Sequence, residues 1–244
     1  MSKVFAYDTL ESTSKTAKEM ALAGAGHGTV VIAERQTAGR GRYGRAFYAP
    51  GGGIYMSVVL RPEELRIETP ALATICAAVR VCEAIETICD RSPGIKWVND
   101  LFLDGKKVCG ILAETVTDGA MRWVVVGIGV NFSIRAGEFP PELRGIAGSV
   151  FPDGNPTVAQ GCLATEIINR MTAPYIWEGI LRGYRRRMLL LGENILVNAP
   201  GGPYEARALD IDDNGQLLVE KADGSIHSLF SGEISIKRNE GQAP

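Results

Sequence analysis

Three arginines and three glycines are packed into Gly39-Arg40-Gly41-Arg42-Tyr43-Gly44-Arg45. Such a stretch makes a poor core and a poor helix. Glycine loses more backbone entropy on ordering than other residues, and arginine is rarely buried unless paired. Its peptide N–H groups and guanidinium forks suit a phosphate or a carboxylate. The expectation is a loop that is mobile when empty and folds over an anionic ligand. Gly39-x-Gly41-x-x-Gly44 also has the form of a dinucleotide fingerprint. That fingerprint opens a helix, whereas here Ala49-Pro50 and Gly51-Gly52-Gly53 lead into another apolar run. A Walker loop needs Gly-Lys-Ser/Thr and a kinase needs a His-Arg-Asp loop; the sequence has neither at the required place. Against an RNA-binding arginine-glycine segment stand its single copy and the net charge of −2.

A second constellation is Lys96-Trp97-Val98-Asn99-Asp100, followed by Gly105-Lys106-Lys107-Val108-Cys109-Gly110-Ile111-Leu112-Ala113-Glu114. Read as one strand from Ile95 to Leu103, the first part puts Lys96, Val98 and Asp100 on one face and Trp97 and Asn99 on the other. An Asp104-Gly105 hairpin turn brings Lys107 back toward them. A lysine and an aspartate beside a pocket suit transfer to or from phosphate; the plain alternative is a solvated hairpin with a surface ion pair. The two histidines, His27 and His227, sit in turn-like surroundings and leave little material for a zinc site or a Ser-His-acid triad. Five cysteines, Cys76, Cys82, Cys89, Cys109 and Cys162, form no Cys-x-x-Cys pair. An odd, dispersed set points to free thiols in a reducing compartment.

These residues need a scaffold, and the chain of 244 residues is long enough to bury roughly 70–75% of its unfolded surface. Apolar content of 45% and charged content of 22% are ordinary for a globular protein. A pI near 5.8 argues against a general nucleic-acid coat protein. No run approaches the ~18 apolar residues that span a membrane, and the start lacks a signal-peptide pattern. A soluble, cytoplasmic protein is expected.

Along the chain, a short strand from Val4 to Tyr7 precedes several helix N-cap candidates between Asp8 and Ser14, then a helix over Lys15 to Ala23. Strands follow over Thr29 to Gln36 and Ile54 to Leu60. Thr69-Pro70 starts a helix with Leu72, Ile75, Cys76, Val79 and Cys82 on one face, ending near Asp90. The runs Val108 to Val116 and Trp123 to Asn131 complete an antiparallel meander in the middle of the chain. Residues 138–155 are expected to be loop, followed by helices over Val158 to Met171 and Tyr175 to about Leu190. The second ends in Arg182, Arg185, Arg186 and Arg187, either a solvated turn complementing the helix dipole or a docking patch for an acidic partner. After Gly192, short alternating pieces between Gly, Asp-Asn-Gly and Asp-Gly turns read as a small all-β barrel. The expected division is therefore 1–191 and 192–244.

The Glu-Ser-Thr-Ser start, Arg-Gln-Thr-Ala-Gly-Arg-Gly-Arg-Tyr-Gly-Arg, Lys-Trp-Val-Asn-Asp, Gly-Lys-Lys-Val-Cys-Gly-Ile-Leu-Ala-Glu and Gly-Ile-Gly-Val-Asn-Phe occur in this order. Together they resemble the biotin protein ligases, also called biotin–[acetyl-CoA-carboxylase] ligases. The resemblance implies an α/β (α+β) catalytic domain with a mixed sheet like that of class II aminoacyl-tRNA synthetases, and an SH3-like C-terminal barrel. Some members add a DNA-binding winged helix before the catalytic domain. This chain starts at the catalytic domain, so no DNA partner is expected. A homodimer through the sheet edge is the assembly the resemblance suggests.

The same resemblance assigns residues. Ser12, Thr13, Ser14 and Gln36 match the biotin site, with Ser12, Thr13 and Gln36 at its ureido head. Gly39, Arg40, Gly41 and Arg42 match the loop over the biotin carboxylate and the phosphate, and Gly110 matches a backbone contact to biotin. Lys107 matches the lysine at the carboxylate and α-phosphate. Arg45, Phe47, Asn99 and Asn131 join Arg40, Arg42 and Lys107 on the nucleotide, Phe47 and Asn131 at the adenine. Asp100 matches the acid near the incoming lysine of the acceptor; Arg42, Lys107 and Asp100 form the catalytic set. The family usually has Pro where Val98 stands, and Tyr43 fills a variable slot. The implied substrates are biotin and ATP with Mg²⁺, with no resident metal, and the implied partner is a biotin carboxyl carrier domain. A lipoate or octanoate ligase or transferase shares the fold, and a non-catalytic biotin-binding module is a third reading.

Overall fold

The structure, a computed structural model, describes residues 3–65, 69–119, 121–199, 201–230 and 233–236. The expected C-terminal unit therefore extends beyond the described residues. In order come β1 (Val4–Leu10), α1 (Thr13–Leu22), β2 (Thr29–Gln36), β3 (Gly53–Leu60), α2 (Pro62–Leu65) and α3 (Pro70–Cys89). They are followed by β4 (Gly94–Lys96), β5 (Asp100–Leu103), β6 (Lys106–Asp118), β7 (Met121–Asn131), α4 (Gln160–Thr172) and α5 (Trp177–Arg187). The last part holds β8 (Asn194–Ala199), β9 (Gly202–Ile211), β10 (Leu217–Lys221), β11 (Ile226–Leu229) and β12 (Glu233–Ile236).

Seven strands form one mixed sheet in the order β1-β2-β3-β7-β6-β5-β4. Only β1 and β2 run parallel, joined through α1; the other pairs are antiparallel. The interior strand β3 is buried along its whole length, on both faces. Ile54, Met56, Val58 and Leu60 join the large core shared with α3, α4 and α5, while Val59 joins a smaller cluster with Ala17 and Ala21 of α1. The period-two alternation of a strand thus distributes β3 between two cores.

Helix α3 starts as its sequence dictates. Thr69 Oγ1 accepts a hydrogen bond from the Leu72 N–H at 3.3 Å, and Pro70 occupies the first turn. It ends at Asp90, which has a left-handed φ of 51°. The expected single apolar face is too narrow: Thr74, Ala77, Ala78, Val81 and Ala84 are buried as well. The helix is sandwiched between β5–β7 and the pair α4 and α5, so small alanines let it bury almost every side.

The expected continuous strand from Ile95 to Leu103 is corrected. Trp97-Val98-Asn99 form a turn, with a cis peptide between Trp97 and Val98, and Lys96 faces Asp100 across the β4–β5 pair. Tertiary hydrogen bonds override the alternation. Trp97 Nε1 donates to Gly215 O at 3.0 Å, Tyr184 Oη to Val98 O at 3.1 Å and Asn99 Nδ2 to Ile111 O at 3.0 Å. The Asp104-Gly105 hairpin forms as expected, with positive φ at both residues.

Strands β8–β12 form a separate antiparallel sheet in the order β11-β10-β9-β8-β12. Among the described residues its edge strands are not paired with each other, so it is a five-stranded sheet rather than a closed barrel. Its apolar face, including Ile195, Val197, Ala208, Ile211 and Leu217, belongs to the same core as α3 and α5. The arginine cluster of α5 is corrected too. Arg187 is buried and grips Glu86 with two hydrogen bonds of 2.7 and 2.6 Å. Arg185 donates to Asp210 and to Ile211 O, tying α5 to the C-terminal sheet. Only Arg182 and Arg186 are exposed. Among the described residues no helix is long and apolar enough to cross a membrane.

Candidate active site

One face of the sheet, beneath the 39–45 loop, carries a cavity of about 390 Å³. Its polar end is built by the start of α1 and by β2. Thr13 N–H and Thr13 Oγ1 both donate to Gln36 Oε1, at 2.8 and 3.1 Å. Ser12, Thr13, Ser14 and Gln36 all line the cavity. Ser12 has the extended backbone of an N-cap, but its side chain makes no capping bond.

The loop is folded back on itself. Gly41 N–H donates to Arg45 O at 2.7 Å, Phe47 N–H to Gly39 O at 2.9 Å, and Arg40 bridges Ala46. Arg40, Gly41, Arg42 and Arg45 line the cavity. Arg42 donates to Asn99 Oδ1 at 3.3 Å and to Tyr43 Oη at 3.0 Å, with its guanidinium carbon 5.0 Å from the Tyr43 ring centre. Gly39 does not line the cavity. It is a packing requirement of the loop, because an added Cβ would come within 2.5 Å of Phe47 O.

Phe47 lies over the sheet at Gly129 and Gly110; a Cβ on either would come within 2.6 or 3.0 Å of its ring. Tyr55 backs it edge-on at 6.3 Å between ring centres. Burial drives the Tyr55 phenol well above its ordinary range, and its Oη–H donates to Pro50 O at 2.8 Å. It is a neutral support.

The catalytic candidates meet on β5 and β6. Lys107 Nζ stands 2.6 Å from Asp100 Oδ1, a buried oxygen whose contact with Lys107 falls short of hydrogen-bond alignment. The Lys107 backbone is pinned by the expected loop region: its N–H donates to Ile146 O at 2.8 Å, and its carbonyl accepts from Gly148 N–H at 2.9 Å. Asn131 is buried just behind. Its Nδ2 donates to Gly148 O, while its Oδ1 has no partner. Asn131 does not line the cavity; it presents a buried, unpaired acceptor beside it.

Lys96, Trp97, Tyr43, Met56, Leu112, Ile128 and Asn198 also line the cavity and were not among the expected site residues. Lys96 and Trp97 belong to a motif already singled out, so their spacing carried the signal. Asn198 comes from the C-terminal sheet, and nothing local in its sequence marks it. Arg40, Arg42, Arg45, Lys96 and Lys107 face a single acid, Asp100, among the lining side chains. That balance suits anions. Neither histidine lines the cavity, and burial raises the nearby Cys109 thiol well above its usual range. The site is equipped to align and charge-stabilise reactants rather than to form an acyl-enzyme. Among the described residues no cluster of His, Cys, Asp and Glu could hold a metal ion.

Residues 6–131 match the biotin/lipoate A/B protein ligase family, and residues 190–237 match the biotin protein ligase C-terminal domain. The chain is 35% identical over 244 residues to the bifunctional ligase/repressor BirA of Bacillus spizizenii, covering 94% of this chain and 72% of that protein. It is 32% identical over 205 residues to the biotin–[acetyl-CoA-carboxylase] ligase of Mycobacterium tuberculosis, covering 79% of this chain and 73% of that one. Its backbone matches the biotin protein ligase from Aquifex aeolicus, solved in complex with biotin and ATP, at a TM-score of 0.81 and 27% identity, over 97% of this chain and 99% of that one.

Proposed function

Because this chain belongs to the biotin/lipoate A/B protein ligase family, we propose that its cavity activates biotin with ATP and transfers it to a lysine of a biotin carboxyl carrier domain. One observation carries the choice of biotin. The cavity joins a hydroxyl-and-amide end, Thr13, Ser14 and Gln36, to the cationic residues Arg40, Arg42 and Lys107. A ureido ring supplies both N–H groups and a carbonyl to the first; a carboxylate and an α-phosphate satisfy the second. Lipoate and octanoate present an apolar end there. They would leave buried polar groups unpaired, a mismatch that costs roughly 10⁴–10⁵ in selectivity.

In the first step the biotin carboxylate attacks the α-phosphorus, the bond to the bridging oxygen breaks, and pyrophosphate leaves. Arg40, Arg42 and Lys107 hold two anions together and stabilise charge on the phosphorus. Charge-assisted hydrogen bonds contribute roughly 1.5–3 kcal/mol each, or one to two powers of ten in rate where the bond forms mainly in the transition state. Phe47, with Gly110 and Gly129 beneath it, offers a flat surface for the adenine, and Asn131 Oδ1 can accept a hydrogen bond from an amino group. Arg45 and Asn99 complete the nucleotide side. Mg²⁺ would be part of the ATP substrate rather than a resident metal, and would supply charge neutralisation for the pyrophosphate leaving group.

In the second step the carrier lysine attacks the acyl carbon and AMP leaves. Only about one lysine in two thousand is neutral at pH 7, so a base helps. Asp100 takes that role once Lys107 turns to the phosphate. The closed loop shields the anhydride from water. Residues 1–191 supply this chemistry and the C-terminal sheet contributes Asn198 to the wall. The cytoplasm, where its thiols stay reduced, is the proposed setting. No DNA partner is proposed. A homodimer would use the free edge strand β1, whose Val4 and Tyr7 are exposed.

The test is carrier labelling. With ATP and a carrier domain, biotin is expected to add its acyl mass to one carrier lysine, and lipoate to add nothing. Labelling by lipoate at a comparable rate would favour the lipoate reading; labelling by neither would leave only a binding module.

A further inference from the structure

Ser57 is the one serine on the buried strand β3, and it is 0% exposed. Its Oγ lies 2.9 Å from Thr13 Oγ1 and 3.0 Å from Ser14 Oγ. Proton bookkeeping fixes the direction of this chain. Thr13 N–H can only donate, so the Gln36 atom it meets is the carbonyl Oε1. Thr13 Oγ1 also meets that oxygen and must donate to it. Its single proton is then used, so it accepts from Ser57. Ser57 has then used its own proton and accepts from Ser14. The protons run from Ser14 to Ser57 to Thr13 to Gln36 Oε1.

This order dictates what the cavity sees. The Gln36 amide is locked with its Nε2 donors as the remaining hydrogen-bonding groups. Ser14 Oγ has spent its proton and keeps only lone pairs for a ligand. We propose that Ser57 is a specificity-determining positioning residue: it sets the direction of the Ser14–Ser57–Thr13–Gln36 chain, so that this end takes a ligand offering a carbonyl acceptor to Gln36 and an N–H donor to Ser14. The proposal rests on the ureido reading of this end of the cavity and adds a residue that touches no ligand. Without the Ser57 hydroxyl, the Ser14 proton has no fixed acceptor and turns into the cavity, where it opposes an incoming N–H.

The experiment measures dissociation constants by calorimetry for biotin and for its two cyclic carbamates, in each of which one ureido N–H is replaced by a ring oxygen. Wild type is expected to bind biotin and to reject at least one carbamate by about a hundredfold. Ser57→Ala weakens biotin by about tenfold, which is about 1.4 kcal/mol, and narrows that preference to about tenfold or less. Ser57→Thr keeps the hydroxyl and restores the wild-type ratio. If Ser57→Ala is not obtained folded, Ser57→Cys, with its weak donor, shifts the ratio in the same direction. A merely structural Ser57 would lower the melting temperature and leave the ratio as in wild type; an unchanged ratio in the folded variant overturns the inference. Wild type that binds no biotin overturns the functional reading instead.

Discussion

Lys107 Nζ and Asp100 Oδ1 stand 2.6 Å apart, so two groups assigned to successive steps neutralise each other in the free cavity. In the proposed mechanism Lys107 acts at the phosphate when the adenylate forms, and Asp100 acts as a base afterwards. On that proposal the pair joins the two tasks: when the lysine moves to the substrate, the carboxylate is released. Asp100→Asn keeps the shape and removes the proposed base. Adenylation, followed by pyrophosphate release, is expected to change by less than about threefold. Transfer from preformed biotinyl-AMP to the carrier should fall at least about a hundredfold, within the usual range for a general base. Equal losses in both steps would place Asp100 in the first.

Arg40 supplies one of the forks over the proposed intermediate, and its backbone also bridges Ala46 to close the loop. Arg40→Gly removes the fork and loosens the closure. Biotinyl-AMP should still form but escape at least about tenfold faster, a loss of about 1.4 kcal/mol. A rapid-dilution assay reads the retention time, and wild-type retention would remove Arg40 from the lid.

Arg187 is a structural residue in an unexpected place. Its guanidinium is almost wholly buried and pairs with Glu86, whose side chain keeps 30% exposure. Breaking a buried pair costs about 3–5 kcal/mol, and the partial hydration of Glu86 places Arg187→Met at the low end, about 3 kcal/mol. The double variant with Glu86→Leu should recover most of that loss. Denaturant unfolding of the single and double variants reads both values.

His27 gives the fold a pH dependence. Its Nδ1 accepts from the Arg61 N–H at 3.1 Å, and burial lowers its pKa below the ordinary 6.5, against a smaller upward pull from Glu64 and with a small downward push from Arg61. The unfolded chain therefore binds this proton more readily than the folded one. Its contribution is fully present above about pH 6.5 and is lost as pH falls through the folded value. His27→Asn keeps an acceptor that does not titrate. Its melting temperature should change less than that of wild type between pH 7 and pH 5, about the window of histidine titration. Parallel curves would exclude His27 as the source.

Much of this was legible because local signals and tertiary packing agree. Thr69-Pro70 starts α3, Asp104-Gly105 turns β5 into β6, and the β2 run spans Thr29–Gln36 as its apolar pattern dictates. The site motifs were legible because arginines among glycines have few structural uses. Where long-range bonds decide, the sequence is silent. Trp97 leaves the strand pattern for a hydrogen bond to Gly215, 118 residues away. Arg187 looks like the end of a solvated helix until Glu86 is opposite it. Ser57 sits in a largely apolar strand, where one serine carries no local mark, and its proposed role follows only from Thr13 and Ser14 beside it.

The reaction proposed for this cavity joins a biotin carboxylate to the α-phosphate of ATP. The direct measurement is mass spectrometry of the protein incubated with biotin, ATP and Mg²⁺, with pyrophosphate assayed in the same sample. Biotinyl-5′-AMP and pyrophosphate should appear in equal amounts, and Lys107→Ala should form them at least about tenfold more slowly, about 1.4 kcal/mol in barrier. A folded wild-type protein that binds both substrates yet forms no adenylate would contradict the account.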